Sequence, residues 1–84
     1  MTYIMTIPYS DDILFSLKKS QAEFEVEARL LLAVKLYELN RLSTGKAAEL
    51  AGMSRVAFMF ALKPFNLSPI GVEPDELAED FANA

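Results

Sequence analysis

Between Arg41 and Pro64 the chain carries a pattern of helix starts and stops that few folds accept. Ser43 or Thr44 can cap a first helix, Gly52 supplies the left-handed residue that ends it, Ser54 caps a second, and Pro64 forbids continuation beyond Lys63. Only about three residues separate the two helices, which is the spacing of a helix-turn-helix. Helices crossing that steeply must touch through a small side chain. Ala48 is placed to be that residue, with Met53, Phe58 and Leu62 as the buried anchors around it.

The segment before this pair predicts a long helix. Ser20 followed by Glu23 forms a capping box, and the apolar spacing carries the helix to about Leu39. Phe24, Ala28, Leu32, Leu36 and Leu39 form one apolar stripe, and Val26, Leu30, Ala33 and Tyr37 a second, displaced around the axis. A surface helix in a monomer needs one buried stripe, so the other is either central in the fold or covered by a second subunit. Glu25 and Arg29 are expected to pair on the remaining wet strip.

Toward the N-terminus, Thr2 to Ile7 is rich in β-branched and aromatic residues and ends at Pro8, which reads as one short strand. Its mate is either Pro69 to Val72 or the same strand of another subunit. Ser10 or Asp11 then caps a short helix holding Ile13, Leu14 and Leu17 and stopping near Lys19. After Asn66 the chain turns to linker chemistry, and Pro74 with Asp75 and Glu76 opens a short C-terminal helix on which Leu77 and Phe81 share a face. The expected fold is therefore mostly α, with a short N-terminal strand, a long central helix, a helix-turn-helix and a short C-terminal helix. Residues 1–65 form the dimerisation and helix-turn-helix domain, and residues 66–84 a linker and acidic tail helix.

Composition excludes much chemistry. The 84 residues contain neither Cys, His nor Trp, so there is no disulfide framework, no thiolate and no imidazole base or zinc ligand. A chain so short buries only roughly 60 to 65% of its unfolded surface, leaving little for a deep substrate cleft. We expect no enzyme and no cofactor. At 52% hydrophobic residues, some apolar surface is expected to be covered by a second copy or a partner. The uncharged runs Val56 to Leu62 and Pro64 to Val72 fall well short of the roughly 18 residues of a membrane span, and no basic stretch leads into an apolar block at the N-terminus. A cytoplasmic location is expected.

Charge is unevenly placed. The total is -4, yet residues 41–63 carry Arg41, Lys46, Arg55 and Lys63 against Glu49 alone, and residues 73–84 carry five acids and no base. The basic region is the candidate nucleic-acid contact, with Ser54 and Arg55 near the start of the second helix and Arg41, Lys46 and Lys63 available to phosphates. On the face that would meet bases, that helix offers Val56, Met59 and Phe60, which can touch a thymine methyl but cannot read a base edge's hydrogen bonds. The same pair of helices therefore also reads as a packing module covered by another chain. Thr44-Gly45-Lys46 lacks the earlier glycine of a phosphate loop, with Asn40 in its place. The acids Asp11, Asp12, Asp75, Glu76, Glu79 and Asp80 suit first helical turns or exposed faces without a metal.

Glu27-Ala28-Arg29-Leu30-Leu31-Leu32-Ala33-Val34-Lys35-Leu36-Tyr37-Glu38, then Arg41-Leu42-Ser43 and Gly45-Lys46-Ala47-Ala48-Glu49-Leu50-Ala51-Gly52-Met53-Ser54-Arg55, resemble a family of small proteins of bacteria and archaea commonly classed as antitoxins and often encoded beside a PIN-domain toxin. The opening strand ending in Pro8 and the acidic end match that layout too. The resemblance implies an antitoxin that binds and silences a PIN-type ribonuclease and, as a homodimer, represses its own operon by binding operator DNA. Toxin contact would rest on Leu77 and Phe81. The alternative is a structural or protein-interaction module that never touches nucleic acid.

Overall fold

The computed structural model describes residues 1–67, which form four α-helices and a closing turn of 3-10 helix. These are α1 (Asp11–Leu17), α2 (Gln21–Glu38), α3 (Thr44–Ala51), α4 (Arg55–Ala61) and the 3-10 turn Lys63–Phe65. The expected tail helix with Leu77 and Phe81, and the Pro69 to Val72 segment, lie outside the described residues.

Three of the helix starts follow from serine side chains. Ser20 Oγ accepts from the Glu23 amide at 3.2 Å while Glu23 Oε1 accepts from the Ser20 amide at 3.0 Å, completing the capping box. Ser43 accepts from Lys46 N–H at 3.2 Å, and Ser54 from Ala57 N–H at 3.1 Å. Each such cap is worth about 1 kcal/mol against alanine. Ser10 precedes α1 without a side-chain cap.

The ends of α1, α2, α3 and the 3-10 turn share one device. A left-handed residue reverses the chain, and the amides after each helix return to its last carbonyls. At α2, Asn40 (φ 61) donates to Tyr37 O and Arg41 to Leu36 O; at α3, Gly52 (φ 76) donates to Glu49 O and Met53 to Ala48 O. Lys18 (φ 56) closes α1 in the same way, as does Asn66 (φ 58) after the 3-10 turn. Pro64 accordingly does not simply stop the second helix at Lys63. α4 ends at Ala61, and Pro64 sits in the first turn of the 3-10 segment, where its missing N–H costs nothing.

The core lies where the second half of α2 meets α3 and α4. Ala33, Val34 and Tyr37 are buried against Thr44, Ala47, Ala48, Phe58, Met59 and Leu62. The Tyr37 ring meets Phe58 edge to face at 5.7 Å, and Thr44 Oγ1 donates to the Tyr37 hydroxyl at 3.3 Å, so the buried hydroxyls satisfy each other. Ala47 and Ala48 are the small residues that let α3 approach. Phe58 and Leu62 are fully enclosed, and Met53 packs at the margin.

Three expectations need correction. No strand occurs among the described residues: Thr2 to Ile7 is solvent-exposed chain without a ladder partner, and β-propensity cannot stabilise a strand that has none. Of the two α2 stripes, Leu30, Ala33 and Tyr37 join the core, but Val26 stays 72% exposed because it precedes Ala33 by about two helical turns, beyond the reach of α3 and α4. Glu25 and Arg29 do not pair. Glu25 accepts from the Tyr9 hydroxyl and from Gln21 Nε2, while Arg29 Nε donates to Leu50 O.

Candidate nucleic-acid interface

The turn between α3 and α4 is fixed from both sides. Inside it, Gly52 reverses the chain; outside, Arg29 reaches from α2 to the carbonyl of Leu50. A Cβ built on Gly52 would lie 2.9 Å from Arg29 Nη1, so the guanidinium occupies the space that a side chain at position 52 would need. Arg29 therefore helps to position α4. Sequence reasoning assigned it to a surface pair, since nothing in the local spacing points an arginine at a turn twenty-odd residues away.

Arg55 sits across the first turn of α3. A Cβ on Gly45 would lie 3.6 Å from Arg55 Cδ and 3.8 Å from its Nε, ordinary contact distances, so the arginine stem lies against that turn. At about 100° per residue, Arg55 lies on the same side of α4 as Phe58, Met59 and Leu62, which explains its partial burial. Lys46, in that same turn of α3, is exposed and makes a 3.4 Å pair with Glu49. Arg41 is exposed just ahead of the Ser43 cap. Three of the four expected cations thus belong to the start of α3. Lys63 belongs to the far end of α4, where its Nζ lies 5.2 Å from the Phe60 ring centroid. Ser54 Oγ accepts the cap hydrogen bond from Ala57 N–H, and its O–H is not used in that bond.

The outer face of α4 also differs from expectation. Met59 is buried and joins the core, because it shares the inward side with Phe58. The outward residues are Ala57, Phe60 (56% exposed) and Lys63, with Val56 half-buried. A single aromatic ring with an ammonium over it suits apolar or phosphate contact better than base-edge reading.

Among the described residues no group of three or more His, Cys, Asp or Glu side chains is placed to hold a metal ion, and no helix is long and apolar enough to cross a membrane. The acidic cluster from Asp75 to Asp80 and the residues Leu77 and Phe81 lie outside the described part.

Residues 1–84 match an uncharacterised protein family, UPF0175. The chain belongs to UPF0175. A UPF0175 protein of Archaeoglobus fulgidus is 38% identical to it over 61 residues, covering 73% of this chain and 69% of that protein. No solved structure matches this UPF0175 member. The family name carries no activity, so any function must be argued from the site itself.

Proposed function

We propose that this UPF0175 protein is a non-enzymatic, cytoplasmic antitoxin-like homodimer that binds a PIN-type ribonuclease toxin and represses its own operon through DNA contact by α3 and α4. The observation that carries the DNA reading is the gathering of Arg41, Lys46 and Arg55 around the Ser43-capped start of α3, beside a second helix held in register by Gly52 and Arg29. In this reading the cations grip phosphates and Ser54 donates to one more, while the outer face of α4 supplies little base recognition. Affinity is then mostly electrostatic. With Arg41, Lys46, Arg55 and Lys63 each neutralising a phosphate, raising salt from about 50 to 200 mM should weaken binding roughly a hundredfold.

The toxin reading rests on the resemblance carried by residues 27–55, with Leu77 and Phe81 as the proposed anchors in the acidic tail. Each is worth roughly 1.5 to 3 kcal/mol if fully buried. Gel shifts on the sequence upstream of its own gene test the first half, and capture of the neighbouring gene product tests the second. Arg55→Ala should cost about 1 to 3 kcal/mol of DNA affinity if Arg55 reads a base, and less if it meets only phosphate. Absence of a complex at low salt, or unchanged binding by Arg55→Ala, would remove α3 and α4 from DNA.

A specific observation favours a second reading, that of a protein-interaction module. Phe60 is exposed at the centre of the outer face of α4, where a DNA reader would carry hydrogen-bond donors. Phe60→Ala separates the two: it should leave DNA affinity nearly unchanged, and should weaken partner capture if α4 is a protein contact.

A further inference from the structure

Among the described residues, the N-terminal arm and the outer side of α2 leave apolar surface exposed. Tyr3, Ile4, Met5 and Ile7 are 84%, 91%, 70% and 65% exposed, and Leu31, Leu32 and Leu39 on α2 are 42%, 38% and 56% exposed. The three leucines fall on the stripe that begins at Phe24 and Ala28, roughly opposite Ala33 and Tyr37. The arm is rooted on that same stripe, because Tyr9 packs its ring edge on Phe24 at 4.9 Å and donates its hydroxyl to Glu25. The arm therefore leaves the helices beside the stripe.

Area decides what covers it. Taking roughly 200 Å² as the full surface of a large apolar residue, the exposed fractions of these seven amount to about 900 Å². Monomers rarely leave an apolar patch beyond about 300 to 600 Å² in water, whereas one side of a standard protein interface is about 800 Å². Charge does not oppose self-contact either. Met1 to Ser10 contains no charged side chain, and on the stripe Lys35 is paired with Glu38 at 3.6 Å.

We infer that a second copy of this chain covers this surface, each arm lying along the outer stripe of its partner's α2 in a two-fold arm exchange. This goes beyond the DNA and toxin readings, specifies the homodimer surface, and needs neither ligand for its test. The full-length chain contains no cysteine, so two single-cysteine variants, Ile4→Cys and Leu32→Cys, can be mixed and treated with a short bismaleimide. Light scattering of the parent should give twice 9.4 kDa, and the mixture should yield an inter-chain crosslink far above that from either variant alone. Ile4→Asp and Leu32→Glu should each raise the dimer dissociation constant at least tenfold while keeping the parent's circular dichroism. A monomeric full-length parent overturns the proposal, whether or not truncation after Leu67 makes it dimerise. So does a dimer without the mixed crosslink, or one that tolerates both charged variants.

Discussion

Replacing Gly52 by alanine makes two demands on the turn between α3 and α4. The backbone there has φ 76, and holding an L residue in that left-handed well costs roughly 1 to 2 kcal/mol. The new methyl would also lie 2.9 Å from Arg29 Nη1 and 3.1 Å from Cζ, so the guanidinium must withdraw. Withdrawal breaks the Arg29 Nε–H bond to Leu50 O. A charged donor on a sheltered carbonyl contributes roughly 1.5 to 3 kcal/mol, but Arg29 is exposed, which reduces this to about 0.5 to 1. Gly52→Ala should therefore destabilise by about 1.5 to 3 kcal/mol.

Urea unfolding followed by circular dichroism, at one fixed protein concentration, reads this directly. With a slope of about 1 kcal/mol per M for so small a chain, the midpoint should fall by about 1.5 to 3 M. The cycle with Arg29→Ala divides the two causes. Once Arg29 is gone the methyl no longer displaces its guanidinium, so Gly52→Ala should cost mainly the dihedral share, and the two changes together should cost about 0.5 to 1 kcal/mol less than their sum. Strict additivity would refute the contact between Arg29 and the turn. A Gly52→Ala midpoint within 0.5 M of the parent, on the order of the measurement's own scatter, would refute the left-handed turn itself.

Other substitutions probe the remaining elements. Lys18→Gly relieves a left-handed lysine (φ 56) and should stabilise by roughly 0.5 to 1 kcal/mol in the same urea assay, the opposite sign to Gly52→Ala. Phe58→Ala empties a fully enclosed site and should cost about 3 to 5 kcal/mol, leaving at most a marginal thermal transition by calorimetry. The arm's root is pH-limited at both ends. The Tyr9 hydroxyl, then the Gln21 amide, hold the Glu25 carboxyl below its usual range, and the bond to Glu25 raises Tyr9. Glu25's contribution is thus present above the ordinary carboxylate range and lost as pH falls through its lowered value. That of Tyr9 is present below the ordinary phenol range and lost as pH rises through its raised value. Ring resonances of Tyr9 and Phe24 should shift together at both limits, and Tyr9→Phe should abolish both shifts.

Much of this architecture was legible because it is written in local chemistry. Ser20 with Glu23, Ser43, Ser54 and Gly52 each act within four residues of themselves, and each does in the structure what its spacing predicts. Apart from Ser10, which makes no side-chain cap, and Pro64, which sits inside the 3-10 turn, the failures are non-local. The arm has strand propensity, but a strand is a relation between two segments, and Thr2 to Ile7 has no mate among the described residues. Lys18 reverses the chain after α1 although lysine has no preference for doing so; the docking of α1 on α2 through Tyr9 and Lys19, the latter 2.8 Å from Glu27, imposes the turn.

The basic residues show the same division within the candidate site. Their presence between Arg41 and Lys63 was plain, but direction around α4 depends on where the core lies. With Phe58 and Leu62 buried, the helix period turns Met59 and Arg55 inward, against the assignment that gave Met59 to bases, and leaves Phe60 outward as that assignment had it. An inward Arg55 then lies along the first turn of α3. A Cβ at Gly45 would stand 3.6 Å from Arg55 Cδ, an ordinary contact distance, so the arginine stem rests against the first turn of α3 without depending on the glycine. A DNA role for α3 and α4 thus depends on one glycine, Gly52, whose left-handed turn places the helix that carries Arg55.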